Sequence, residues 1–163
     1  DNDDMSDVSA TKIASSESIK AYVDNNVKIK VATVTLSEAD MNSLHSTAIT
    51  IVPAQGANQV IVPTSGMLFI DRDGSTAQAN TACDLFVGYN GGTTSTTTMY
   101  YIRRFMYGET GDRMWHLQST GETGQSLVNG DNLPLTVAVD SAVTSGSIDS
   151  MKVSVSYYVF DNS

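Results

Sequence analysis

His45, His116 and Cys83 are the two imidazoles and the single thiol of the chain, and they are where a search for chemistry begins. A zinc site needs several Cys or His ligands at short spacings, which these three residues do not supply. Nucleophilic catalysis needs a Ser or Cys beside a base. Serines are plentiful, but none stands in a G-x-S-x-G turn and neither His has flanks that mark a general base, so a triad would have to assemble in space. Asp71-Arg72-Asp73-Gly74-Ser75 gathers carboxylates at a turn, as a calcium loop does. Its glycine comes too early for D-x-D-x-D-G and no Glu follows at the bidentate position, so an ordinary Asp/Gly turn accounts for it as well. Asp84, Glu109, Asp112 and Glu122 could offer the carboxylate pair of a glycan hydrolase, or simply a solvated acidic surface. No metal or cofactor is implied.

A second group of residues suits binding. Tyr89, Tyr100, Tyr101, Tyr107 and Trp115 fall in a stretch rich in Asn, Thr and Asp, and a sugar-binding surface combines flat apolar rings with polar groups around them. Tyr89, Tyr100 and Trp115 are the candidate surface residues; core packing is the competing role for the same rings. Arg103-Arg104 is the one adjacent basic pair, suited to an ion pair across a subunit boundary or to one inward and one outward position of a strand.

The elements that must position these residues read as strands. From Met151 to Phe160, Met151, Val153, Val155, Tyr157 and Val159 alternate with polar neighbours, a period of two that no amphipathic helix would show. Leu133, Leu135, Val137 and Val139 form a second such face after the Asn129-Gly130-Asp131-Asn132 turn, and the short polar connection predicts an antiparallel hairpin between the two runs. Cys83, Leu85, Val87 and Tyr89 form a third inward face. Met99 to Met106 fits strand or helix, with its aromatic content favouring strand, and Arg113 to Gln118 is a short strand around the single Trp. Earlier in the chain, Lys28 to Leu36 places Ile29 and Val31 on one face and Val34 and Leu36 on the other, a change of phase at Ala32-Thr33 that suggests a bulge or a strand moving between two sheets. Thr47 to Val52 follows, then Gln59 to Val62 and Met67 to Ile70 as two runs separated by Pro63-Thr64-Ser65-Gly66.

Helices are few. Ser37-Glu38-Ala39-Asp40 has the spacing of a cap and opens a turn or two through Met41 and Leu44. Ser15 or Ser16 caps a longer candidate in which Ile19, Tyr22, Val23 and Val27 recur every three to four residues. So narrow a stripe on a short helix needs a partner, either its own domain or copies of itself in neighbouring chains. The expected architecture is an all-β, antiparallel two-sheet β-sandwich, jelly-roll-like with about eight strands, preceded by one short N-terminal helix. Residues 1–27 form an acidic arm and helix for anchoring and oligomerisation, and 28–163 the β-sandwich head.

Composition narrows the functions available. The 163 residues suffice for one domain with a core. Nine basic against 18 acidic residues leave a net charge of −9, which disfavours nucleic acid, and no apolar run is long enough to insert into a bilayer as a helix. Charged residues make up only 17% of the chain, so Ser, Thr, Asn and Gly must cover much of its surface. The lone Cys83 excludes an internal disulfide.

Ser18-Ile19-Lys20-Ala21-Tyr22-Val23-Asp24 resembles a short helical segment that recurs in tail-fibre and related fibre proteins of tailed bacteriophages. Leu44-His45-Ser46-Thr47-Ala48-Ile49, Gly130-Asp131-Asn132-Leu133 and Val153-Ser154-Val155-Ser156-Tyr157-Tyr158 are similar to stretches of small β-sandwich virion proteins of marine phages. The resemblance implies a non-catalytic structural protein on the surface of the virion, of fibre or capsid-decoration type. It also implies a homotrimer, with the N-terminal arm docked on other virion proteins and a host surface glycan as a further candidate partner. A free carbohydrate-binding β-sandwich module is the alternative from another class, and a glycan depolymerase a third.

Overall fold

The alternation of the last strand is what closes the head. In the computed structural model, which describes residues 15–20, 29–72, 83–91, 98–103, 105, 111–119, 131–143 and 148–163, Met151, Val153, Val155 and Tyr157 are buried, while Tyr158 and Phe160 face outward. The chain divides into two units, Asp1–Lys30 and Val31–Ser163.

Of the first unit, residues 16–20 are helical (α1). The Ser15 hydroxyl accepts the Ser18 backbone N–H at 3.1 Å, satisfying a donor that the first helical turn leaves unpaired, and the Ile19 N–H donates to the Ser15 carbonyl at 3.0 Å. Ile19 itself is 47% exposed. Tyr22, Val23 and Val27, the rest of the expected stripe, lie outside the described residues, as does the acidic stretch 1–14.

The second unit is a sandwich of nine described strands: β1 (Lys30–Ser37), β2 (Ile49–Val52), β3 (Gln59–Arg72), β4 (Leu85–Tyr89), β5 (Thr98–Ile102), β6 (Arg113–His116), β7 (Gln118–Ser119), β8 (Leu135–Val139) and β9 (Ile148–Asp161), with α2 (Glu38–Ser43) between β1 and β2. One sheet has the order β1-β9-β3-β6 and the other β2-β8-β4-β5-β7. Four nested pairs result, β1 with β9, β2 with β8, β3 with β6 and β4 with β5, alternating between the sheets. A hairpin rolled up in this way is a jelly roll, as the strand pattern predicts.

Three local readings change in the folded chain. The expected hairpin of the last two strands does not form, because β8 pairs with β2 and β4 while β9 pairs with β1 and β3. Their apolar faces belong to opposite sheets, and alternation looks the same whether a neighbour is hydrogen-bonded or packed across a core about 10 Å thick. Pro63-Thr64-Ser65-Gly66 is not a break between strands. It lies within the single 14-residue β3, where the register to β9 moves from Pro63↔Tyr157 to Ser65↔Ser156. Thr64 is the extra residue of this bulge, and its hydroxyl donates to the Ser156 carbonyl at 3.1 Å. The ladder to β6 runs only from Met67 to Ile70, so Pro63 takes no donor from it. Lastly, β1 runs as one strand, with Ala32 and Val34 half-buried, Leu36 buried and Val31 left outside at 67% exposure, an even alternation without the change of phase expected at Ala32-Thr33.

The remaining elements follow their local chemistry. Ser37 and Asp40 form a reciprocal capping box: the Ser37 hydroxyl accepts the Asp40 N–H at 3.3 Å, and the Asp40 carboxylate accepts the Ser37 N–H at 2.9 Å. The box aims Met41 and Leu44 into the core. The Gln55–Asn58 turn uses left-handed backbone at Gly56 (φ 116°) and Asn58 (φ 60°), residue types that tolerate it. The strand expected around Trp115 is divided. Leu117 leaves the first sheet at Gly66 and the chain continues as β7 beside β5 in the second.

Candidate functional site

Three turns meet over the second sheet and enclose a cleft of about 360 Å³. Leu44, His45, Ser46 and Ala48 come from the segment after α2, Asn90 and Gly91 from the end of β4, and Ala138, Val139 and Asp140 from the end of β8. Asn90 (φ 52°) and Gly91 (φ 75°) take successive left-handed conformations, which turns the chain sharply beside Ala48. Their N–H groups are engaged within the protein, Asn90 donating to the Pro134 carbonyl at 3.0 Å and Gly91 to Thr136 Oγ1 at 2.8 Å. Asp140 Oδ1 accepts the Asp84 N–H at 2.9 Å and the Ser141 hydroxyl at 3.2 Å, so one carboxylate oxygen holds the wall in place. The cleft presents one imidazole, one carboxylate, one amide and one hydroxyl, from His45, Asp140, Asn90 and Ser46. This set can hold a small polar solute, and it contains neither a second carboxylate nor a thiol.

The folded chain separates the residues that the sequence placed together. Tyr89 is 3% exposed and Tyr100 6%, which removes both rings from any surface a sugar could stack on. Tyr89 donates its hydroxyl to the Ile61 carbonyl across the core, and burial pushes its phenol up to about 12; burial raises Tyr100 in the same direction. Trp115 is half-buried on β6, in register with Leu68 of β3. Tyr101 is also half-buried, its hydroxyl on Asp84 Oδ2 at 2.9 Å and its ring centroid 5.3 Å from that of Phe86. Burial and the bond to Asp84 both raise its phenol. Tyr107, Arg104, Glu109 and Glu122 lie outside the described residues.

Two carboxylates considered for hydrolysis have structural duties on different sheets. Asp84 accepts from Tyr101 beside β4, and Asp112 Oδ1 accepts the Arg72 N–H at 3.0 Å beside β3. Asp71 and Arg72 form the end of β3 rather than a loop, and residues 73–75 of the calcium-like run lie outside the described residues. Among the described residues no three His, Cys, Asp or Glu side chains gather as metal ligands would. Cys83 is buried, its thiol donating to the Ser141 carbonyl at 3.5 Å and pushed up to about 11 mainly by desolvation, which makes it a poor nucleophile. His45, Arg103 and His116 are exposed.

Exposed rings occur elsewhere, at Phe69, Tyr158 and Phe160, each about 40% accessible. The same alternation that assigned Met151 to Tyr157 to the core places Tyr158 and Phe160 on the opposite face, so this surface was legible in the strand pattern.

The fold is thus a double-sheet jelly roll, an architecture used by viral capsid proteins, lectins and cupins. No protein-family model matches the chain, and no curated protein does either. Several chains of solved structure resemble it, among them two from phage capsids. One is the cyanophage Pam1 capsid asymmetric unit, 20% identical over 80% of this chain and 83% of that chain at a TM-score of 0.40. The other is the acidic stable capsid structure of Helicobacter pylori bacteriophage KHP30, 10% identical over 80% of this chain and 91% of that chain at a TM-score of 0.42.

Proposed function

We propose that the chain is a structural protein of a tailed-phage particle, of fibre or capsid-decoration type, that works by binding and display without catalysis. The observation that carries this reading is the nested strand order of a jelly roll, one of whose established uses is the viral capsid. The resemblance of Ser18 to Asp24 and of the closing strand to phage fibre and virion proteins points the same way. Burial of Tyr89 and Tyr100 weighs against the free carbohydrate-binding module, which would need those rings at its surface.

In this reading the head assembles as a homotrimer, residues 1–27 dock on other virion proteins, and the turns of the sandwich are displayed outward, where a host glycan is a candidate ligand. Many identical copies convert weak contacts into firm attachment. Ile19 supports a seam between copies, since nearly half of its surface is left uncovered in one chain. Mass spectrometry of purified phage particles tests the proposal. The chain is expected in stoichiometric, repeated copies; its absence from the particles, or a turnover that depends on His45 or His116, would overturn it.

A further inference from the structure

The geometry points to the outer face of the β1-β9-β3-β6 sheet as the surface on which a second copy of this chain packs, an inference that rests on the proposed self-assembly. Among the described residues of Val31–Ser163, every exposed large apolar side chain belongs to this sheet: Val31, Met67, Phe69, Met114, Tyr158 and Phe160 are 39–67% accessible. Cross-strand register joins several of them. Phe69 stands opposite Met114, with Met67 two positions along the same face, and Tyr158 lies opposite Val62 on the other side of the Thr64 bulge. Together they expose roughly 500 Å² of largely apolar surface, in the upper part of the ~300–600 Å² that the largest, often functional, patch of a monomer spans, against the ~800 Å² that each partner gives to a stable interface.

Two polar groups of the face are already partnered: Thr33 Oγ1 and Ser154 Oγ bond to each other at 3.0 Å, so covering them leaves one hydroxyl hydrogen, not two, to be placed. Charge selects the occupant. Along the outward positions of β9 from Ser150 to Phe160, of β3 from Met67 to Asp71 and of β6 at Met114 and His116, the formal charges are Lys152 and Asp71, which cancel. A neutral face on a chain of net charge −9 is where a like-charged molecule can approach, and the like-charged molecule to hand in a repeated assembly is another copy. An anionic polymer would call for a cluster of cations instead.

Sedimentation velocity of the full-length chain at up to about 100 µM in ~150 mM salt tests this, beside Met114→Lys, Phe69→Ser and Ile19→Lys, with circular dichroism to verify folding. The wild type is expected to associate, Met114→Lys and Phe69→Ser to weaken association about tenfold or more without loss of secondary structure, and Ile19→Lys to retain the contact made by the sheet. An oligomer unaffected by both sheet variants overturns the assignment of this face and leaves self-assembly standing. A wild type monomeric throughout overturns both. A monomer whose Phe69→Ser variant loses binding to a glycan array would assign the face to sugar instead.

Discussion

At Gly66 a side chain has no room. A Cβ there would stand 2.4 Å from Leu117 Cδ1 and 3.1 Å from its Cγ, and Leu117 is held in place by its own N–H donating to the Gly66 carbonyl at 2.9 Å. Gly66→Ala must therefore shift the Leu117 side chain at the corner where the chain passes from one sheet to the other. The expected cost is about 1–3 kcal/mol, seen in calorimetry as a fall in Tm of roughly 2–4 °C per kcal/mol; an unchanged Tm would show that Leu117 swings aside freely. Cys83 gives a second test. In the unfolded chain its thiol ionises near the ordinary value of 9.0, whereas the folded chain holds the proton to about 11 because burial disfavours the thiolate. Folding then retains a proton that unfolding releases, so this contribution to stability is complete below the unfolded value and is lost as pH rises through the folded one. Urea midpoints followed upward from pH ~8 should fall more steeply for wild type than for Cys83→Ala.

Among the elements, α2 depends on a local device. The Ser37 hydroxyl and N–H both bond to Asp40 and hold its carboxyl below the ordinary 3.8. A depressed carboxyl stabilises the fold above its ordinary value, and that contribution disappears as pH falls through the depressed one. Ser37→Ala should lower Tm at neutral pH, with the gap from wild type narrowing as the solution is acidified below the carboxylate range. A gap constant with pH would place the effect in helix propensity rather than in the box. β3 shows a longer-range device: the extra residue Thr64 lets one strand follow β9 from Gln59 to Arg72, with Pro63 tolerated where β6 does not reach. The Pro and Gly that resemble a turn in the sequence flank the bulge here as paired strand residues, Pro63 opposite Tyr157 and Gly66 opposite Val155.

For the whole molecule, charge and apolar surface oppose each other. With −9 on every chain, association of copies works against electrostatic repulsion, whereas an apolar contact is insensitive to screening. Raising salt from about 20 to 300 mM should therefore tighten self-association in sedimentation equilibrium, since the Debye length shortens over that range. Weakening with salt would mean that ion pairs hold the copies together. The jelly-roll core itself is ordinary: Leu68, Ile70, Met151, Val153 and Val155 of one sheet meet Leu85, Val87, Leu135 and Val137 of the other, all essentially inaccessible to water. Its function must therefore be sought on the faces and turns rather than in the interior.

What the sequence determined by itself was local. Residues alternating every second position assigned Cys83 to Tyr89 and Met151 to Tyr157 to the core, and Ser37 with Asp40 marked the start of α2. Each depends on neighbours a few residues away, where side-chain direction and backbone sterics suffice. Tertiary structure alone decided that β8 and β9 lie in opposite sheets, that Pro63 to Gly66 continues a strand, and that Tyr100 is enclosed while Phe69 is left at the surface. Alternation shows that a strand has two faces, but it does not identify the strand that bonds to its edge or the layer that covers its side. Those depend on segments up to about a hundred residues away that compete for the same buried surface.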